Sequence, residues 1–552
     1  MSKTFTLDEK KRFNGTIEHI DNTDNHTNDK SKFINVDEEL LMAEGEDKIT
    51  PYIIFVCSTA AVAGFMFGYE TGIIGSITVA VGMDLGVDIN ESENSDKKEV
   101  ITAMTVAGAF ICSIFAGALS DKIGRKWVLV ISDICYCIGT VIFGASYSVA
   151  QAAVGRLVLG FGVGMSSCIG PMYISEISPT QLRGTLVTIN SVTITFGQVV
   201  AYGLGAALLH APKGWRIMLV LGAVPAIYQA IAIHLLPESP RYLLTKNKTE
   251  EAYNAIARMY PRASQEELAL KFDILTANVD ESVRLAKQNT TRTLIRKLFT
   301  IPRNLRALTL AMTLQATQQL SGFNGLMYFA PTIFQTLGFE NAATGGLVIA
   351  GANFVFTGLG MLLVDRVGRR PLVAYFSCPG TILGCVWCIV SMYFLTKDTG
   401  FQLENNFPYD SGKQIVVIIG FVFYIAMYGT GLGHVPWTMS DLFSLEVRGI
   451  GTGIGTSTNW ACNLIISESY LSMQKGMTPS GTFGLFAGFI FCGWVYLGFC
   501  YPETTGLQLE EVQDILADGF GVRKSMELRK TKRKALKAMK NTNIDQIDPE
   551  SK

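Results

Sequence analysis

Twelve runs of mostly apolar residues, each long enough to cross a lipid bilayer at about 20 residues per helix, punctuate this chain. They lie near 52–82, 101–120, 127–147, 150–174, 185–210 and 215–236, and again near 307–336, 343–364, 371–396, 415–440, 449–473 and 480–501. No other feature limits the fold so sharply. In hydrocarbon each backbone polar group needs a partner within the chain, so isolated runs of this length must be helices. The expected fold class is an all-α membrane protein of 12 transmembrane helices, arranged six plus six.

Composition agrees. Only 17% of the 552 residues are charged and 54 are glycine, against about 25% charged in soluble domains; bundles in membranes make this exchange of charge for small and apolar residues. A net charge of −1 provides no basic field, so nucleic acid is not an expected partner. The 11 cysteines fall almost entirely inside apolar runs, which reads as packing rather than a metal site or disulfide framework. No metal, cofactor, nucleophile elbow or phosphate loop is expected, and an enzyme is the least favoured class.

Five regions follow from these runs: a polar, disordered cytoplasmic tail (1–50), a first six-helix bundle (51–238), an intracellular helical linker (239–304), a second six-helix bundle (305–503) and a cytoplasmic C-terminal tail (504–552). The linker contains the amphipathic "TEEAYNAIARMY" (249–260), and the C-terminal tail the basic "RKTKRKALKAMK" (529–540), of a kind that lies in solvent or against anionic headgroups. Lys122, Arg125, Lys126, Arg183, Arg366, Arg369, Arg370 and Arg448 all follow even-numbered spans, whereas the loop at 84–99 is acidic. The positive-inside rule then places both termini in the cytoplasm, and Asn90, in N-E-S, becomes a candidate glycosylation site on the other side.

The two sets of six are repeats. "GALSDKIGRK" (117–126) is echoed by "GMLLVDRVGRR" (360–370), and Pro171, Glu176, Arg183 and Gly184 recur 265 residues later as Pro436, Asp441, Arg448 and Gly449. Pro237 and Glu238 recur at the same offset as Pro502 and Glu503. Such repeats point to a transporter whose site lies at the midplane between halves that rock against each other. Asp121, Arg125, Glu176 and Arg183, with Asp365, Arg369, Asp441, Glu446 and Arg448, form a candidate cytoplasmic gate; ordinary interfacial anchoring is the plainer reading.

Uncharged amides within the spans can bind hydroxyls without carrying charge, since each supplies a donor and an acceptor. Span seven carries Gln318, Gln319 and Asn324, span five Gln198, span eight Asn353 and span eleven Asn459; Trp437 and Trp460 offer aromatic faces. Gln318 and Asn324 share a helix face only if the helix loosens near Gly322. Each amide alone could equally be helix–helix glue. One acid stands out: Glu70, in "GFMFGYETGIIG" (64–75), within an otherwise uncharged run. An intramembrane charge costs roughly 2.5–3.5 kcal/mol on insertion scales, so it must pair, line a wet cavity or take up a proton. Gly64, Gly68 and Gly72 around it recur every four residues and suit close helix packing. Asp133 and Glu468 are further intramembrane acids without an assigned role.

"GxxxDKxGRK", "PMYISEISPTQLRG", "PESPR", "QQLSGFN" (318–324) and "PETTG", in this order, resemble the signatures of the sugar porters of the major facilitator superfamily, over about residues 52–515. Within that family "GLGHVPWTMSDLFSLEVRGIGTG" (431–453) and "NWACNLIISES" (459–469) are most similar to fungal myo-inositol transporters. Glu70 stands where the family usually has Asp, Asp441 where it usually has Glu, and His434 where Asn or Pro is frequent. The resemblance implies that the eight amide and tryptophan residues contact sugar, and that Arg156 of span four faces Glu70 as its proton-coupling partner. It further implies plasma-membrane uptake of myo-inositol or a close polyol with protons, by alternating access and without cofactors. A hexose carrier, coupled or not, and a transporter-like nutrient sensor are the competing readings.

Overall fold

The computed structural model describes residues 50–89, 94–178, 183–288, 290–404, 407–444, 446–507 and 509–533. The polar tail before Thr50, the sequon at Asn90 and the side chains of Arg183 and Asp365 lie outside the described residues.

Six helices build the first half: α1 (Pro51–Ala80), α2 (Ser95–Ile123), α3 (Arg125–Gly144), α4 (Val149–Ile177), α5 (Arg183–Leu208) and α6 (Gly214–Ala232). Thr50 starts the first: its hydroxyl accepts the Ile53 N–H at 3.2 Å, ahead of a proline that suits the first turn. The glycine ladder on α1 faces α5. A Cβ at Gly68 would run into the Ile194 carbonyl, so glycine is required for this approach. Four further helices follow: α7 (Pro240–Thr245), α8 (Thr249–Met259), α9 (Gln265–Gln288) and α10 (Thr291–Thr300).

The second half is less regular. Span seven is divided into α11 (Pro302–Leu320) and α12 (Phe323–Thr336) by Gly322, whose φ of +82° stops the first helix and starts the next. After α13 (Ala342–Val367), a π-turn at Leu372–Ser377 leads into α14 (Cys378–Thr396). Next, α15 (Ser411–Met427) continues through a π segment (Tyr428–Leu432) and a 3-10 helix (Val435–Leu442). Spans eleven and twelve run together as α16 (Arg448–Cys500), turned at Thr478, where φ is +69°, just before Pro479. Among the described residues, ten helices are each long and apolar enough to cross a membrane. The divided span seven, and the turn that makes α16 two spans, bring the number to 12.

Large apolar side chains such as Ile138, Val141, Val224, Ile231, Leu362 and Leu383 face outward around the bundle. This belt would be costly in water and is at home in lipid. Beyond span twelve the described residues fold back onto the bundle. Helix α17 (Leu509–Ala517) has its last carbonyls, those of Leu516 and Ala517, capped by Arg306 at 2.6 and 2.8 Å. Arg529, on a helix over 522–533, donates to the Val367 carbonyl at 2.7 Å and pairs with Glu503 at 3.3 Å.

Hydrogen bonds that join the halves lie in the middle of the bundle and toward the end away from the basic loops. Asn353 donates to Gln198 at 2.8 Å, Tyr202 to the Met327 carbonyl, Asn341 to the Ala206 carbonyl at 2.9 Å, and Ser472 to Glu99. Two aromatic contacts, Phe67–Trp460 and Phe196–Phe354, add to the middle.

Candidate transport site

Glu70 on α1 and Arg156 on α4 meet in an ion pair that is almost fully buried. Further hydrogen bonds hold the pair. Tyr136 of α3 donates to the other Glu70 oxygen at 3.1 Å, and Arg156 Nε donates to the Ile101 carbonyl of α2 at 3.1 Å. Such partners help make a buried pair tolerable, because each charge is met by the other and by a further polar group. Four helices of the first half thus converge on one ion pair. The pair borders a narrow cavity, with room for about one water molecule, whose far wall is made by Tyr328 and Trp460 of the second half.

Close by, α11 and α16 are sewn together by amides. Asn459 is the hub: its Nδ2 donates to Gln315 at 2.6 Å and to Gln318 at 2.7 Å, and its Oδ1 accepts from Gln319 at 3.0 Å. Asn324 reaches back across the Gly322 break to donate to Gln319 at 2.6 Å. Gln318 and Gln315 in turn donate to the carbonyls of Gly433 and Pro436, at 2.7 and 3.1 Å. These amides are buried, uncharged and satisfied by one another. A ring of hydroxyls could exchange partners with them without exposing a charge.

The sequence-derived set is therefore brought together only in part. Gln318, Gln319, Asn324 and Asn459 form one cluster, and Trp460 lies beside it on the cavity. Gln198 and Asn353 form a separate pair that bridges the halves. Trp437 is half-buried on the 3-10 helix next to Pro436. Sequence reasoning missed Gln315, although it lies one turn before Gln318 and Gln319, and Asn463, one turn after Asn459, which donates to the Tyr328 hydroxyl at 3.2 Å. Helical spacing could have found both. Nothing local could have found Tyr136, which lies 66 residues from Glu70. Asp133 is buried on α3, and its two carboxylate oxygens have no hydrogen-bond partner among the described residues.

The repeated charges at the basic end close within each half. Arg125 pairs with Glu176 at 3.0 Å and with the exposed Asp121 at 3.1 Å; Arg369 pairs with Asp441 at 2.6 Å. Glu238 accepts the Arg125 N–H at 3.1 Å, and Glu503 accepts the Arg369 N–H at 3.2 Å, so each carboxylate caps the start of a span. Burial pushes the Glu238 carboxyl up from its ordinary value, and its N–H donors pull it partly back. Gly124 and Gly368 precede these arginines with φ of +99° and +110°, and a Cβ on either would strike the capping carboxylate. Arg183 opens α5 and Arg448 opens α16, at corresponding places in the repeat. Lys297 of α10 pairs with Glu446, tying the short helices to the loop before α16.

Two pseudo-equivalent halves of six spans, enclosing a buried ion pair and an uncharged amide cluster where they meet, define a membrane transporter. The family model "Sugar (and other) transporter" matches residues 56–516, and the chain belongs to that family. Myo-inositol transporter 1 of Cryptococcus neoformans var. grubii is 43% identical over 496 residues, 90% of this chain and 87% of that protein. Myo-inositol transporter 1 of Saccharomyces cerevisiae is 40% identical over 499 residues, 90% and 85% of the two chains. Among solved structures, the major facilitator proton:xylose symporter XylE from E. coli, bound to 6-bromo-6-deoxy-D-glucose, superposes with a TM-score of 0.71 at 23% identity, covering 84% of this chain and 99% of that one. It shares the fold.

Proposed function

We propose that this protein imports myo-inositol, or a close polyol, together with protons by alternating access. One observation carries the substrate class: the buried, uncharged Gln315–Gln318–Gln319–Asn324–Asn459 cluster where α11 meets α16, whose donors and acceptors match a ring of hydroxyls. The names of relatives at 40–43% identity narrow that class to myo-inositol. Gln198, Asn353, Trp437 and Trp460 complete the substrate site in this reading. The Glu70–Arg156 pair supports the coupling, with Glu70 taking the proton and Arg156 answering its loss of charge. Arg125–Glu176 and Arg369–Asp441, with Asp121, Arg183, Asp365 and Arg448, act as a cytoplasmic gate by stiffening each half, since the pairs close inside the halves. Helices 239–304 link the two bundles, the membrane is the plasma membrane, and both termini face the cytoplasm, in keeping with the basic loops.

The test is uptake of radiolabelled myo-inositol by cells that lack their own carrier. Expected is saturable uptake that collapses when a protonophore removes the gradient. Glucose uptake with no competition by inositol would sink the substrate assignment, and protonophore-resistant accumulation would sink the coupling.

A further inference from the structure

Hydroxyls on the helices of this protein usually donate to their own backbone. Thr59 bonds to the Phe55 carbonyl, Thr71 to Phe67 and Thr140 to Tyr136. Thr102, on α2, does not. It is only 1% exposed, and its hydroxyl has no hydrogen-bond partner among the described residues. Trp460, on α16 in the other half, is equally buried, and its indole N–H is also without a partner. Both residues line the narrow cavity beside Glu70 and Arg156. Leaving a buried donor or hydroxyl unmet is costly, so two of them lining one water-sized space call for an occupant. The indole can only donate, whereas the threonine hydroxyl donates and accepts. A single hydroxyl satisfies both, by accepting from the indole and donating to the threonine.

We infer that Thr102 and Trp460 form a one-hydroxyl subsite. One ring hydroxyl of the bound polyol enters the cavity, accepts from Trp460 Nε1 and donates to Thr102 Oγ1. This rests on the polyol reading above and deepens it: Thr102 becomes a specificity-determining residue contributed by α2, and a loaded substrate bridges α2 of the first half to α16 of the second.

Uptake of radiolabelled myo-inositol, with each mono-deoxy inositol as competitor, tests the subsite. In the wild type, one deoxy analogue competes about fivefold to tenfold more weakly than inositol. Thr102→Val, which removes the hydroxyl and keeps the shape, weakens inositol by a similar factor and erases the discrimination against that one analogue. Thr102→Ser restores it, and Trp460→Phe reproduces the Thr102→Val pattern. Should Thr102→Val fail to reach the cell surface, Thr102→Ser and Trp460→Phe still report: loss of discrimination in the phenylalanine variant and its retention in the serine variant uphold the subsite, and any other pattern overturns it. Wild-type affinity and discrimination in Thr102→Val overturn the subsite alone. A wild type that takes up no inositol overturns the substrate reading and the subsite with it.

Discussion

Glu99, near the start of α2, accepts both the backbone N–H of Ser472 at 2.9 Å and its hydroxyl at 2.6 Å, across the divide between the halves. Glu99 is 3% exposed, so the contact is shielded from solvent. It must break whenever this end of the bundle opens. Hydrogen bonds to a charged group contribute about 1.5–3 kcal/mol. Glu99→Ala should shift the carrier toward the form open at this end by about that amount. The expected outcome is a several-fold fall in the half-saturation for external substrate. An unchanged value in a normally expressed variant would show that the contact does not restrain opening.

Glu70→Gln keeps the size of the side chain but cannot hold a charge. Concentrative, pH-driven uptake should be lost while exchange of labelled for unlabelled substrate persists. Arg156→Ala is the harsher change, because it strands a buried carboxylate at a cost of about 3–5 kcal/mol. Its first effect should be low surface abundance on an immunoblot of surface-labelled protein. If Glu70→Gln still accumulates substrate against its gradient, the carboxylate does not carry the coupling proton.

The hub position of Asn459 makes an unequal prediction within the amide cluster. Asn459→Ala removes three side-chain partners at once, those of Gln315, Gln318 and Gln319. Asn324→Ala removes one. Each stranded amide costs about 1–3 kcal/mol. Half-saturation for inositol should rise more than tenfold, and thermal stability in detergent should fall, for Asn459→Ala; both effects should be smaller for Asn324→Ala. Equal losses would argue against the hub.

The folded C-terminal segment is testable by truncation. A chain ending at residue 533 keeps Arg529 with its bonds to Val367 and Glu503 and should match the full protein in thermal stability. A chain ending at residue 520 loses them and leaves Glu503, which is 1% exposed, without this counter-charge. Its midpoint should fall by about 1–2 °C, in keeping with about 1–2 kcal/mol in a chain of this size. Identical midpoints would make the docking energetically idle.

Glu238 carries a pH signature. Burial raises its carboxyl in the folded protein. A raised acid favours the fold in its protonated form, so its contribution is fully present below the ordinary carboxylate range and is lost as pH rises through the folded value. Thermal unfolding of the wild type and of Glu238→Gln, followed from pH 4 to pH 7, should show a difference that moves against the wild type as pH rises. A difference independent of pH would refute the shift.

Much of the architecture was legible without coordinates, because membrane helices obey simple rules. Twelve apolar runs, the 265-residue repeat and the lone acid in span one follow from the need to bury apolar side chains and to satisfy every backbone group. The glycine near the middle of span seven marked the break that lets Asn324 turn toward Gln319. The pairing of the charges was less legible. Arg125–Glu176 and Arg369–Asp441 turned out to be contacts inside each half, which periodicity cannot distinguish from contacts across it.

What the sequence by itself determined is the class of object: a lipid-embedded, two-fold-repeated helical bundle with uncharged amides and a few costly acids in its interior. What only tertiary structure decided is which of those groups touch. Tyr136 reaches Glu70 from another helix, Gln315 joins Asn459 across 144 residues, and Thr102 and Trp460 come to share a cavity wall. Hydrophobic patterning is additive along a chain and can be read residue by residue. Polar satisfaction in a dry interior depends on pairs, and a pair exists only once packing has set the helices side by side.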